Sequence, residues 1–401
     1  MFSNRSPFQL DAHYYITGMS DFTKEYGKCK ECQQDNTGQH WCRTCNGKRF
    51  QSDFDKWTTG DPEIDEFIQQ IQLSATSCEG VIEWIPFDRF DDFIFISEGE
   101  CSAIEKATWS DGYLEFWNHE KNYWQRFNNQ SVCFKRLDTL NKRELLKEIK
   151  YQLRFRGGWA IAVYGITKSP MENEYMIVLQ HAKHGSLRNM LDNNFKELTW
   201  KQKIQIILFI AYGLAKIHET GLMHRDFHSG NIVNETITSS YITGFGSCKP
   251  VTLNYEEKIH GIIPYMAPET LNRGEYTQAS DVYSFGMIMS EVFTSYPPYY
   301  NLPHDEKLVK LICDGKKTEI KCEIPQLLRD IMEKCWDIDP FVRPTARELE
   351  IQFKNYSTNN DSELENQIEE ANESNKNFIH YDPKMTYPQD YIHMQKQWDL
   401  R

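Results

Sequence analysis

Two spacings of apolar residues alternate along this chain, and the places where one gives way to the other mark its organisation. After Asp61-Pro62, the residues Ile64, Phe67, Ile68 and Ile71 recur at helical intervals and predict a short amphipathic helix. An aromatic cluster, Trp84-Ile85-Pro86-Phe87 with Phe90 and Phe93, leads onward. The runs Tyr113-Leu-Glu-Phe-Trp117 and Tyr123-Trp-Gln-Arg-Phe127 flank a polar Asn118-His-Glu-Lys-Asn122 and read as a hairpin. Val132-Cys-Phe-Lys135 and Tyr175-Met-Ile-Val-Leu179 read as further strands, the second one buried. The helical interval returns at Ile207, Ile210, Ala211, Leu214 and Ile217, one face of a helix that Thr199-Trp-Lys-Gln202 opens with a capping box. From Ser357 the chain turns polar and acidic. Leu364 and Ile368 support a marginal helix there, and a flexible tail is expected beyond Ser374.

Composition narrows the classes. A chain of 401 residues has room for two or three units at ~150 residues each. Its 45 basic and 58 acidic residues give a net charge of −13, which argues against nucleic acid or an anionic membrane as the main partner. With 40% hydrophobic residues, most of the chain should be globular. The most apolar run, Ile206 to Ile217, is too short to span a bilayer, and the first residues lack the basic flank and apolar stretch of a signal peptide. The expectation is a soluble, cytoplasmic protein.

Four of the eleven cysteines are clustered as Cys29-Lys-Glu-Cys32 and Cys42-Arg-Thr-Cys45. Two residues between thiolates let each pair present both sulfurs to one ion, and four sulfurs close a tetrahedral shell around Zn²⁺. Such a site is structural, supplying folding energy to a segment too short for its own core. A redox CxxC or an iron–sulfur site is the rival use of this spacing, and His40 is an alternative ligand. Residues 21–60 hold seven Lys or Arg against six acids, no electrostatic footprint for nucleic acid, so a folding or protein-docking module is favoured. The other seven cysteines are scattered and read as apolar fillers.

The remaining chemistry centres on His224-Arg-Asp-Phe-His-Ser-Gly-Asn231. A carboxylate followed five residues later by an amide lets one loop hold a proton acceptor, Asp226, and a Mg²⁺ ligand, Asn231. This stretch resembles the catalytic loop of the protein kinases, and other motifs of that family occur at matching spacings over about Phe90 to Phe353. The resemblance implies an α+β bilobal fold with a small β-rich N-lobe and a large helical C-lobe, preceded by a small zinc-ribbon-like module. It divides the chain into an N-terminal extension (1–20), the zinc module (21–60), an amphipathic bridge (61–89), the kinase-like domain (90–355) and an acidic tail (356–401).

Carried over position by position, the resemblance makes Lys135 the residue that holds nucleotide phosphates. Glu148 is its expected helix partner, with Glu144 as competitor. Gly99 is the one remaining glycine of the phosphate loop and Ile104 the apolar residue over adenine. Leu179 takes the gatekeeper position, ahead of a hinge with Gln180 and Ala182. His224 and Arg225 serve packing and anchoring; Thr252 and Tyr255 are candidate phosphosites that Arg225 would receive. Phe245 and Gly246 belong to the family's metal-binding triplet, Glu269 to its APE motif, and Asp281 to the buried aspartate of the large lobe. Arg343 would pair with Glu269. His228 and Ile262 replace the residues that mark serine/threonine specificity, and the acceptor stays unassigned.

One motif departs from the family in its chemistry. Where the family carries Asp-Phe-Gly, this chain reads Gly244-Phe-Gly246, and no Asp or Glu lies between Glu235 and Glu256 to substitute. Loss of a metal ligand in phosphoryl transfer forfeits on the order of several kcal/mol of transition-state stabilisation. Glu98 and Glu100 add negative charge where phosphates would lie. The reading is a pseudokinase that acts as scaffold or regulator through protein partners, with structural zinc, weak or Mg-independent ATP binding and no strong Mg²⁺ site. The alternatives are a slow ATP-dependent kinase of protein substrates using Asn231 as sole protein metal ligand, and a zinc-module docking factor.

Overall fold

Six strands form the sheet of the first of two units into which the chain divides, residues 1–181 and 182–401. The computed structural model describes residues 26–98, 103–136, 142–156, 158–252, 259–358 and 361–383. The first unit opens with helices α1 (Arg43–Gln51) and α2 (Pro62–Ser74). Asp61 caps α2, accepting from the amides of Glu63 at 3.0 Å and Ile64 at 3.4 Å, and Ile64 and Ile68 on its inner face are wholly buried.

The sheet runs β1 (Glu83–Trp84), β7 (Val163–Lys168), β8 (Tyr175–Gln180), β6 (Gln130–Arg136), β3 (Ala103–Trp109) and β2 (Phe90–Glu98) in spatial order, with α3 (Lys142–Arg154) following β6. Only β1 and β7 are parallel. The bridge therefore supplies an edge strand, which the periodicity did not reveal because two residues carry no pattern. Gly165 makes the approach sterically feasible: a Cβ there would sit 2.0 Å from the Glu83 carbonyl oxygen. Phe90, Trp109, Phe134, Tyr164 and Val178 are among the buried residues of the core.

The expected hairpin is present as β4 (Tyr113–Asn118) and β5 (Tyr123–Phe127), a separate two-stranded sheet. Its aromatics join the cysteine segment to the rest of the unit. Trp41, fully buried, donates from Nε1 to the Ala75 carbonyl at 3.1 Å, and its ring lies 5.6 Å from that of Trp124, which stacks on Phe50 at 5.0 Å.

The second unit is helical: α4 (Leu187–Asn194), α5 (Trp200–Glu219), α6 (Pro268–Arg273), α7 (Gln278–Thr294), α8 (Glu306–Cys313), α9 (Gln326–Cys335), α10 (Ala346–Thr358) and α11 (Ser362–Ser374). Short strand pairs β9 (Leu222–Met223) with β12 (Lys249–Pro250), and β10 (Ile232–Asn234) with β11 (Ser240–Ile242), frame its loops. Thr199 and Gln202 form the capping box of α5. That helix is buried on more than the one expected face, Ile206, Leu208 and Phe209 included, because α7, α10, β9 and β11 surround it. Arg343 meets Glu269 through two bonds of 2.6 and 2.8 Å with both side chains shielded from solvent.

The tail corrects its sequence reading. Residues 361–383 are ordered on the second unit: Asp361 caps α11, Leu364 and Ala371 are buried, and the Gln367 side chain accepts from the Leu327 amide at 2.9 Å. The helix expected at Leu364 and Ile368 is present as α11; acidic composition concealed its anchorage through Leu364 and Ala371 and the placement of residues 375–383 beyond it.

Arg343→Leu leaves the Glu269 carboxylate buried and unpaired, so urea unfolding should show a loss of about 3–5 kcal/mol, partly recovered by adding Glu269→Leu.

Candidate functional site

The loop from His224 to Asn231 is held by one side chain. Asp281, in the first turn of α7 and 2% exposed, accepts from the His224 amide through Oδ2 at 2.8 Å and from the Arg225 amide through Oδ1 at 2.9 Å. His218 Nε2, near the end of α5, lies 2.9 Å from the same Oδ2. Arg225 has φ +70°, a left-handed conformation that a long side chain rarely adopts, and the two bonds to Asp281 maintain it. The Arg225 guanidinium stacks on Tyr276 at 4.1 Å. Of the two candidate phosphosites, Thr252 is an exposed turn residue, and Tyr255 lies outside the described residues.

Asp226 is surrounded by groups that favour its charge. Burial would raise its pKa, but the His228 imidazole, then His224 and the Asn231 amide, hold its carboxyl well below the usual carboxylate range. Asn231 donates from Nδ2 to the Asp226 carbonyl at 2.8 Å and to its Oδ2 at 2.9 Å. His228 accepts the Gly230 amide at Nδ1, 3.1 Å, which leaves Nε2 to carry the proton 3.6 Å from Asp226 Oδ1. The imidazole at the carboxylate was not foreseen; the His two positions after Asp226 was the only signal. Fully buried His224 has its pKa pushed down by that burial, and its Nε2 lies 3.0 Å from the Thr243 carbonyl, tying the loop to the Gly244 turn.

Gly244 adopts φ +78° and ψ +36°, and Phe245 and Gly246 follow in a short 3-10 turn, with Phe245 fully buried against His224. A Cβ on Gly244 would lie 2.5 Å from both Cγ and Oδ1 of Asn231. The carboxamide thus rests where an acidic side chain would leave the backbone. Among the described residues, the side-chain oxygens placed at this turn are the Asn231 amide oxygen and the Asp226 carboxylate. Mg²⁺ asks for a near-octahedral shell of hard oxygens. Because Mg²⁺ takes most of its shell from water and substrate phosphates, Asn231 and Asp226 are the side chains that would face it here, without the carboxylate that the family's triplet supplies.

On the first unit, Lys135 meets Glu148, buried on α3, at 2.5 Å, while Glu144 is turned to Lys147 at 3.3 Å on the surface. Ile104 faces Lys135 in strand register. Gly99 lies outside the described residues. Leu179 is buried in β8 opposite Cys133. The main chain of Gln180 is engaged on both sides: its amide donates to the Ala162 carbonyl at 2.9 Å, and its carbonyl accepts the Cys133 thiol at 3.6 Å. Burial pushes that thiol up to about 12, so it is a neutral donor. Ala182, in the second unit, accepts the Gly185 amide at 3.0 Å.

The four clustered cysteines converge, all Sγ atoms lying within 4.8 Å of one another. Cys29 and Cys45 are 3.8 Å apart, and Cys32 and Cys42 are 3.6 Å apart. Zn–S bonds of about 2.3 Å in a tetrahedron imply edges of about 3.8 Å, so the residues present fit zinc. Gln33 at φ +60° and His40 at φ +55° turn the chain after the first pair and before the second. His40 packs on Phe116 at 5.8 Å, outside the sulfur cluster. Cys45 sits in the first turn of α1, yet burial and then the neighbouring Cys32, Glu31, Cys29 and Cys42 side chains push its thiol well up. For Cys29, burial opposes ionisation, yet bonds from the Cys32 and Glu31 backbone bring its thiol down to about 7.

Two glycines separate conformation from crowding. Gly221→Ala, at φ +73° with open space around it, should lose about 1–2 kcal/mol of stability, the usual left-handed penalty. Gly244→Ala must also displace Asn231, so denaturant titration should show a loss larger by at least about 1 kcal/mol.

A family model described as protein tyrosine and serine/threonine kinase matches residues 95–353. A probable serine/threonine-protein kinase of Dictyostelium discoideum, gdt2, is 30% identical over 278 residues, 66% of this chain and 16% of that protein. A putative mitogen-activated protein kinase kinase kinase 7-like protein of Drosophila melanogaster is 28% identical over 64% of this chain and 63% of its own length. Human receptor-interacting serine/threonine-protein kinase 1 is 28% identical over 61% of this chain and 40% of its own length. The chain therefore spans less than two thirds of each of these relatives. The matched span takes in the loop held by Asp281, the Lys135–Glu148 pair and the buried Arg343–Glu269 bridge, and on that evidence the chain belongs to the protein tyrosine and serine/threonine kinase family.

Proposed function

We propose that this protein is a pseudokinase, a kinase-fold scaffold or regulator acting through protein partners in the cytoplasm, with a structural zinc module and a nucleotide site that gains little from magnesium. The observation that carries this reading is the contact between Gly244 and Asn231. The position that supplies the family's chief metal ligand has no side chain, and the Asn231 carboxamide, pinned by two bonds to Asp226, occupies the exit a carboxylate would need. Asp226 remains ionised but becomes a hydrogen-bond acceptor in a loop built for stability.

A slow phosphotransferase is the second reading. It is favoured by the Lys135–Glu148 pair and by the retained Asp226, either of which would be dispensable in a scaffold that binds no nucleotide. On this reading Asn231 is the sole protein ligand for the metal.

Thermal melts with ATP, ADP and Mg²⁺ in every combination decide between them, since a ligand of the native state raises Tm by mass action. The pseudokinase reading expects ATP to give the same shift with and without magnesium, within about 1 °C. Radiolabelled phosphate incorporation by the wild type that Asp226→Ala abolishes would overturn it.

The zinc assignment has its own test. Four thiolates closing on one ion make chelation a folding event. A strong chelator should release one zinc per chain, quantified with a chromogenic thiol-competing dye, and expose Trp41 to water with a red-shifted emission. Retention of native emission after complete chelation would leave the cluster a packing device.

A further inference from the structure

Residues 375–381 lie on the second unit in the manner of a bound peptide. Asn375 anchors the segment by reciprocal bonds with Glu323, donating to its carbonyl at 2.7 Å and accepting its amide at 2.9 Å. Further along, the main chain is read at alternate residues: the Tyr296 hydroxyl donates to the Ile379 carbonyl at 2.8 Å, and the Tyr381 amide donates to Ser295 Oγ at 2.8 Å. Side chains fill the rest. His380 lies 5.1 Å from the Phe195 ring, Phe378 lies 6.1 Å from Tyr296, and Tyr381 lies 5.6 Å from Tyr296 and 6.3 Å from Tyr300. Ile379, facing outward, is 66% exposed. Alternate backbone bonds with aromatic anchors between them are a mode by which proteins bind short extended peptides.

The Tyr381 ring also sits 5.5 Å from the Arg188 guanidinium. Arg188 holds Asp192 through Nε and Nη2, at 3.0 and 2.7 Å, and through Nη1 it holds Glu291 Oε1 at 2.8 Å. Glu291 is fully buried, and its second oxygen accepts the Tyr265 hydroxyl at 2.8 Å. Having donated there, that hydroxyl must accept from Ser229 Oγ, 2.9 Å away. Ser229 is buried between Asp226 and Asn231. A ring contact from Tyr381 to Arg188, followed by hydrogen bonds through Glu291, Tyr265 and Ser229, therefore joins the tail to the loop.

We propose that Phe378–Tyr381 is a cis-acting ligand of the groove formed by Phe195, Tyr296 and Tyr300, and that its seating sets the order of the 226–231 loop through Arg188, Glu291, Tyr265 and Ser229. Tyr381 covers a face of the guanidinium and fixes its plane. Glu291 has both oxygens committed, so a reoriented Arg188 changes the acceptor presented to Tyr265. The loop then loses the bond that holds its centre.

Hydrogen–deuterium exchange on the full chain tests this without depending on catalysis. In a Phe378→Ala/Tyr381→Ala variant, amides 226–231 should exchange at least about threefold faster, with α3 unchanged as internal reference. In an Arg188→Lys background, which keeps the charge but loses the planar face, the tail substitutions should add nothing further at 226–231. Should Arg188→Lys fail to fold by thermal melt, Tyr265→Phe cuts the series one step later and takes its place, with the same expectation. If the tail variant accelerates exchange at 295–300 and 375–383 alone, or if the two effects add in full, the coupling is refuted and the segment is only anchored.

Discussion

Two backbone amides sharing one buried carboxylate form the constraint on which the functional loop depends. Asp281 is shielded within α7, and withdrawing its two acceptor bonds would leave a buried charge without its donors. That cost is what keeps Arg225 in a left-handed conformation. With Arg225 fixed, the chain must present Asp226 on one side and bury His224 on the other. The architecture of the loop is therefore independent of whether the residues around it perform chemistry. A chain can lose a metal ligand at Gly244 and still keep the whole loop in place.

The same separation explains which motifs are intact. Asp281, Glu269 and Arg343 make buried interactions whose loss would strongly destabilise the second unit, whereas Gly244 sits in a turn that accepts glycine at no conformational cost. At that turn the Asn231 carboxamide is bonded to Asp226 and also rests on Gly244. Restoring a carboxylate at that turn would mean undoing a second arrangement.

Much of this was legible in the sequence because it is local. A capping box, a CxxC pair and an HRD run each occupy a few consecutive residues, and their chemistry follows from spacing alone. Lys135 and Glu148 were paired from the sequence, with Glu144 as the competitor that the helix phase turns away to Lys147. What escaped depended on long-range placement. Trp41 gives no hint that it meets Trp124, and the spacing that marks one apolar face of α5 does not show that other elements also cover Ile206, Leu208 and Phe209. The tail beyond Ser374 was misread because a handful of amide clamps do not alter its acidic average.

The two-residue strand β1 has a role larger than its size. It lies outside the span shared with the kinase family, residues 95–353, yet its pairing with Gly165 and Ile166, extended by the Ile85 amide to the Ile166 carbonyl at 2.9 Å, closes the margin of the sheet along β7. Without it, β7 would display a row of unsatisfied polar groups beside a residue lacking a side chain, the geometry that invites another molecule's strand. A chain trimmed to residues 95–353 would leave that margin of β7 open, so the sheet's completeness rests on residues ahead of the matched span.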